Sequence, residues 1–273
     1  MTPDLLSVIV RALGFVALYQ AVGAALFLSV FGRQLGRSAA PIRRLARLAA
    51  LAGIVLVLAH LALEPARLAG EFAGIRDPEL QQLAWHSGAG ASQLLQVLGL
   101  LGILVLPVSA AGVIAVGGFL LTGHTSSHPL RAVLAPLLAL HLLIGSFWFG
   151  SLGALLFVCG LEPKPFAVDL LQRFSRLAGA LVPLILLAGL AIGWILAGDL
   201  TVLRRTYGVL LLVKLALFAL LMLLAAGNRW ALVPAYAAGS QLTALRRAIA
   251  AEYGLVVLIL ATTAVLTAYF SPR

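Results

Sequence analysis

Apolar runs of about 20 residues recur from one end of this chain to the other, and each can cross a hydrocarbon layer about 30 Å thick. Inside such a layer every backbone N–H and C=O must be satisfied within the protein, which leaves helices or closed barrels as the spanning structures. Barrel strands would alternate apolar and polar residues over about ten positions, and that alternation is missing. The chain therefore reads as an all-α, polytopic membrane helix bundle. Charge agrees: 10% of residues are charged and 62% are hydrophobic, where a soluble domain carries about 25% charge. No polar stretch is long enough to bury a core of its own, so residues 1–273 read as a single transmembrane domain. The opening MTPDLLSVIVRALGFVALYQ has no basic segment before its apolar stretch, and that stretch outruns a signal peptide. It is expected to be a retained first span.

Eight helices fit the pattern, at about 5–31, 45–63, 88–105, 108–122, 131–158, 174–197, 206–226 and 248–269. The third and fourth come from dividing the charge-free stretch Ser87 to Gly123, which as one helix would reach about 55 Å. Pro107, followed by Ser109, Ala110, Ala111 and Gly112, is the expected turn. With both termini outside, inner segments hold Arg33, Arg37, Arg43, Arg44, Arg47, Lys164, Arg173, Arg176, Arg229, Arg246 and Arg247. Outer segments hold Arg67, Arg76, Arg131, Arg204, Arg205 and Arg273, a bias in the sense of the positive-inside rule. An undivided 88–122 helix would abolish that bias. The formal charge of +10 thus reads as topology signal and anionic-lipid contact rather than nucleic-acid binding. Gly189 and Gly193, and separately Gly145, Gly150 and Gly153, are expected to pack helices closely.

On this topology the five histidines all fall on the outer half. His60 is expected one turn before the outer end of the second helix, closed by Glu64-Pro65, and His86 opens the third helix after Trp85. His124 and His128 lie in GHTSSHP after the fourth, and His141 sits about 15 Å inside the fifth. Imidazole is the commonest protein ligand for borderline transition metals, so these residues are the candidate metal ligands. Each also has an ordinary reading as a solvated, capping or hydrogen-bonded side chain. An imidazole at the depth of His141 should face the bundle interior and have a partner. Met1 and Met222 are the only methionines, and the sole cysteine, Cys159, lies at the inner end of the fifth helix. A site here would be nitrogen-rich, which suits copper(II), copper(I) on two or three imidazoles, or zinc. Arg11 and Lys214, in the outer third of helices one and seven, either snorkel outward or act as electrostatic gates or anchors for a metal-bound anion. Glu252 lies near the inner end of helix eight, with Arg229 as its expected partner in a structural clamp.

An ordered series of motifs carries a resemblance. Gly123-His124 closes a helix, and LHLLIGSFWFGSL then places His141, Trp148 and Gly150 on the next. RFSRLA (173–178), YGVLLLVKLALF (207–218), NRWALVP (228–234), LRRAIAAE (245–252) and SP (271–272) follow. The series resembles the copper-resistance D family (CopD/PcoD) of bacterial inner-membrane copper-handling proteins, closely over about 123–272 and loosely before that, Arg11 and Gly23 included. The resemblance implies eight helices with both termini periplasmic, a periplasmic-facing copper site and a role in copper uptake or tolerance. It also implies a separate periplasmic copper carrier as partner, beside the copper ion and the lipid bilayer. His124, His141 and Trp148 carry over as site members; His128 lies outside the pattern. The third helix of the family often begins with a basic residue near a tryptophan, whereas here the stretch reads SGAGASQLLQ.

The leading expectation is a copper-binding membrane protein that accepts copper at its outer histidines and passes it inward to His141, with no enzymatic step. A haem-binding electron-transfer module, with His60 and His141 or His86 and His141 as axial ligands, is a second reading. A non-transporting copper sensor or assembly scaffold is a third. Hydrolytic chemistry ranks low, because no motif pairs a nucleophile with a base.

Overall fold

The computed structural model describes residues 2–105, 109–198 and 205–269, and all regular structure among them is helical. Helix α1 (Pro3–Phe31) starts where local chemistry favours it. The Thr2 hydroxyl accepts the Leu5 N–H, Pro3 occupies a first-turn position that needs no donor, and Asp4 meets the positive end of the helix dipole. Helix α2 (Ala39–Ala69) ends at Gly70, whose φ of +76° suits a residue without a side chain. Asp77 caps α3 (Pro78–His86) by accepting the N–H groups of Glu79 and Leu80. Then come α4 (Gly88–Val105), α5 (Ser109–Gly117) prolonged by a 3-10 turn to Leu121, the short α6 (His124–Ser127), α7 (Arg131–Leu161), α8 (Lys164–Ala197) and α9 (Thr206–Gly227). A π-helical turn, Asn228–Leu232, leads into α10 (Val233–Ala237), and α11 (Leu242–Tyr269) closes the described chain.

Among the described residues seven helical stretches are long and apolar enough to cross a membrane, and Ser109–Leu121 is a shorter apolar one. The expected division of 88–122 is visible in the packing. Gly88 lies against the Leu121 carbonyl, Gly99 against Ala115 and Gly102 against Ala111, so α4 and α5 run antiparallel. Pro107, the expected turn, lies outside the described residues, as do Arg204, Arg273 and the SP pair. The returning arm reaches only about 20 Å, less than a full hydrocarbon thickness.

Several boundaries differ from expectation for one reason: a hydropathy window stops at charge, and a helix does not. Glu64-Pro65 does not close the second helix; Pro65 lies inside α2, which runs on to Ala69. Membrane helices tolerate such prolines because neighbouring groups satisfy the freed backbone. His60 therefore sits about 13 Å inside the helix end rather than one turn from it. Likewise α8 begins at Lys164, carrying Asp169, Arg173 and Arg176 on its first turns, and α11 begins at Leu242.

One end of the bundle gathers the segments around residues 32–38, 160–176 and 228–247, the arginine-rich end. Glu162 ties them. One carboxylate oxygen accepts from the Gly36 N–H at 2.9 Å, the Ser38 N–H at 2.8 Å and the Ser38 hydroxyl at 2.6 Å. Arg173 reaches Gln34 across the same seam at 3.4 Å. The opposite end carries α3, α6 and the Gly88–Leu121 contact.

Helix α7 is the axis of the bundle. Its stretch Ser146–Leu155 is buried without a break, and α1, α8 and α11 pack around it. By contrast α8 and α9 keep Leu184, Leu187, Trp194, Leu212 and Leu223 exposed. An apolar surface of that extent marks lipid contact. The α1–α7 crossing is the tightest in the fold: a Cβ on Gly23 would sit 1.8 Å from the Ser146 carbonyl oxygen, and one on Gly150 would sit 2.4 Å from the Ala24 nitrogen. Gly150 is thus a packing glycine, as expected. The Gly189/Gly193 pair is not: Gly193 meets nothing within 4 Å, and Gly189 faces a histidine instead of a helix seam.

Two outcomes follow. Gly150→Leu forces backbone apart at the central crossing and should destabilise by more than about 3 kcal/mol, read as loss of the monodisperse species in detergent; an unchanged melting temperature overturns this packing account. For Glu162, desolvation raises the carboxyl pKa, but hydrogen bonds from the Ser38 hydroxyl and from the Ser38, Gly36 and Arg37 N–H groups outweigh it and hold the carboxyl below the usual range. The folded state then binds fewer protons than the unfolded one, so this contribution is full above the unfolded value of about 4.3 and disappears as pH falls through the lowered folded value. Glu162→Gln should melt lower than the parent near neutrality, and the gap should close in acid.

Candidate functional site

The five histidines separate into two settings. His86, His124 and His128 lie at the rim of the end opposite the arginines. His86 ends α3, His124 opens α6 after Gly123 (φ +82°), and His128 is the last-turn cap of α6. His86 and His124 are exposed and His128 is half-buried. His86 does not open the helix that follows, because Ser87 separates α3 from α4. His60 on α2 and His141 on α7 are half-buried within the bundle. Among the described residues no group of three or more His, Cys, Asp or Glu side chains comes together that could hold a metal ion. The expected five-residue set is thus not one chelate; its members are spread from rim to interior.

The two interior histidines differ in which nitrogen is committed. His141 Nδ1 lies 3.0 Å from the Ile185 carbonyl oxygen on α8. A carbonyl only accepts, so Nδ1 carries the proton and Nε2 keeps its lone pair. Ligating histidines are commonly fixed this way, through the ring nitrogen that does not bind the metal. Gly189 makes the bond possible: a Cβ there would stand 2.9 Å from the imidazole Cε1. The glycine read from sequence as half of a packing motif instead lets an imidazole lie on the α8 backbone. At His60 the Gln93 side-chain amide nitrogen stands 2.8 Å from Nδ1. Here the amide donates, Nδ1 accepts, and Nε2 bears the proton of the neutral ring. At the rim His86 follows the first pattern, with Nδ1 2.8 Å from the Gln82 carbonyl. His128 follows the second, with Nδ1 accepting the Leu130 N–H at 3.0 Å.

Each interior histidine also has a cation beside it. Arg11, half-buried, has its guanidinium carbon 5.5 Å from the Phe15 ring centre and shares an electrostatic neighbourhood with His60, Glu64 and Arg67. Glu64 and Arg67 form an ion pair at 2.5 Å. Lys214 is the charged neighbour of His141. The two cations singled out in sequence are thus the electrostatic neighbours of the two interior histidines.

Trp148 is buried, set edge-on to Phe218 at 6.5 Å between ring centres, and hydrogen-bonded to Glu252. It stands about 10 Å along α7 from His141, away from the histidines it was expected to accompany. The expected Arg229–Glu252 clamp is absent. The π turn brings Asn228 onto Glu252, with the amide donating to Oε1, and sends Arg229 outward to the Ser175 carbonyl at 3.2 Å. Sequence reasoning missed Gln93, Ile185, Gly189 and Asn228 as site neighbours. For Gln93 a signal existed: Ser92, Gln93 and Gln96 are three buried polar residues on an otherwise apolar helix.

Nitrogen-15 spectra of histidine-labelled protein should show His141 with its proton on Nδ1 and His60 with its proton on Nε2. Gln93→Leu should change only the His60 signal. The same tautomer at both positions contradicts the hydrogen bonds described.

Comparison with known proteins agrees with the motif series. A family model described as "Copper resistance protein D-like, N-terminal domain" matches residues 1–129, and one described as "Copper resistance protein D" matches residues 168–266. Between the matched ranges lies α7. A copper resistance protein D of Pseudomonas syringae pv. tomato is 30% identical over 264 residues, covering 85% of this chain and 84% of the relative. No solved structure matches the chain. The chain, a multi-pass helical membrane protein, belongs to the copper-resistance D family.

Proposed function

We propose that this protein handles copper in a bacterial inner membrane, taking the ion at the histidine-bearing end and passing it into the bundle as part of copper uptake and tolerance. In this reading both termini and the histidine rim are periplasmic, and the short α4–α5 hairpin counts as the third and fourth of eight passes. What supports the orientation is the gathering of cationic segments at the other end. His86, His124 and His128 meet copper first, delivered by a periplasmic carrier protein, and His60 and His141 receive it inside. Copper is cargo, and no catalytic step is assigned.

The observation that carries the reading is His141: a half-buried imidazole with Nδ1 fixed on a backbone carbonyl, Nε2 available, and Lys214 alongside. Permeation sites must bind well enough to admit an ion and weakly enough to release it. A fixed nitrogen ligand supplies attraction for copper(I), which accepts as few as two imidazoles. A neighbouring ammonium opposes the ion's charge and shortens its stay. Dispersed histidines, instead of a three-ligand cluster, suit handover better than storage.

His141→Ala and His124→Ala should each weaken copper binding by about tenfold or more, equivalent to about 1.4 kcal/mol, measured by competition with a copper chelator. Both should stop copper uptake into proteoliposomes while the protein stays monodisperse. Unchanged affinity in both variants rejects these residues as ligands, and binding without flux in the parent protein rejects transport.

A further inference from the structure

The part of the bundle that the copper reading leaves unused is the carboxyl of Glu252. It is 4% exposed, on α11, in the half of the protein nearer the arginine-rich end. Among the described residues the ion pairs are Arg67–Glu64 and Arg173–Asp169, and neither involves it. The cations on the elements packed against α11 lie or point elsewhere. Arg11 of α1 neighbours His60, Arg131 of α7 is exposed at the histidine-bearing end, Lys214 of α9 neighbours His141, Arg229 of the π turn donates to Ser175, and Arg246 of α11 itself lies beside Gly160 and Cys159. Arg247 is exposed. On α11 and the elements packed against it, the buried Tyr19 of α1, Cys159 of α7 and Tyr236 of α10, and the half-buried Tyr253, whose ring packs 4.4 Å from that of Phe149, are titratable side chains uncharged in their ordinary state near neutrality. Glu252 is held by two neutral groups, the Asn228 amide and the Trp148 indole.

That pair of partners suits either protonation state. A charged carboxylate accepts from the Asn228 amide nitrogen and from the indole N–H. A neutral carboxyl needs an acceptor for its own O–H, and one is in place: Asn228 Oδ1 is buried with no partner, in a residue only 7% exposed. Half a turn of the amide about its last side-chain bond exchanges Nδ2 for Oδ1 in front of the carboxyl. A purely structural carboxylate would be met by a cation or by donors alone. The amide stands there because the backbone opens into a π-helical turn at Asn228–Leu232, a local geometry often kept at functional sites.

The geometry points to Glu252, Asn228 and Trp148 as a proton-binding site within the membrane, where one proton reversibly joins a Glu252 carboxylate oxygen from the arginine-rich side and the Asn228 amide turns to follow it. Ionisable residues held inside membrane bundles mark proton and ion pathways. The inference is independent of the copper reading, and its test uses no copper.

The test is infrared difference spectroscopy of the full-length protein in lipid nanodiscs as pH is stepped, in H2O and in D2O. The expected result is a carbonyl band of a protonated carboxyl in apolar surroundings. It gains intensity as pH falls, shifts in D2O, and is missing from Glu252→Gln, which keeps size and hydrogen-bonding capacity. Identical spectra for parent and variant overturn the proposal. So does a parent protein whose spectrum shows no such band, or a band of constant intensity, at every pH at which it stays folded; the parent alone decides the matter should the variant fold poorly.

Discussion

Everything in this bundle hangs on the approach of α1 to α7 at Gly23 and Gly150. In lipid no hydrophobic force drives helices together, because the tails are as apolar as leucine, so association rests on close van der Waals contact and interhelical hydrogen bonds. Two glycines facing each other let the backbones meet. Gln20 adds a hydrogen bond across the same seam, its amide reaching the Gly150 carbonyl at 3.3 Å. Once α7 is held there, the face that carries His141 and Trp148 is set: His141 meets α8, and Trp148, two turns along, meets α9 and α11.

The same constraint explains why the polar groups divide into separate stations. A polar side chain in a membrane bundle is costly unless satisfied nearby, and three here take a partner from another element of the fold. His60 takes Gln93 from α4, His141 takes a carbonyl from α8, and Glu252 takes Asn228 from the π turn. The result is a rim of accessible histidines, two enclosed ones each beside a cation, and a carboxyl toward the opposite end.

Much of the fold was legible in the sequence. Apolar run length fixed the helices, the charge-free stretch 87–123 demanded a reversal, and arginine placement separated the two ends. Those signals are one-dimensional, and they survive because the bilayer imposes length and charge rules on each segment by itself. Helix ends were misjudged where amphipathic turns project past the apolar part, as at Lys164 and Leu242, or where proline is tolerated inside, as at Pro65. The candidate site was less legible. Histidine, Arg11 and Lys214 could be named as exceptional residues, but nothing in their spacing said which would meet.

By itself the sequence determined a helical membrane protein, its span order, its unequal ends and the short roster of polar residues that the membrane would force to find partners. Only the tertiary structure decided the pairings, because they cross between helices far apart in the chain and turn on rotations of a few tens of degrees. So Gly189 serves His141 rather than a helix seam, Asn228 displaces Arg229 from Glu252, and the histidines stand apart instead of closing on one ion.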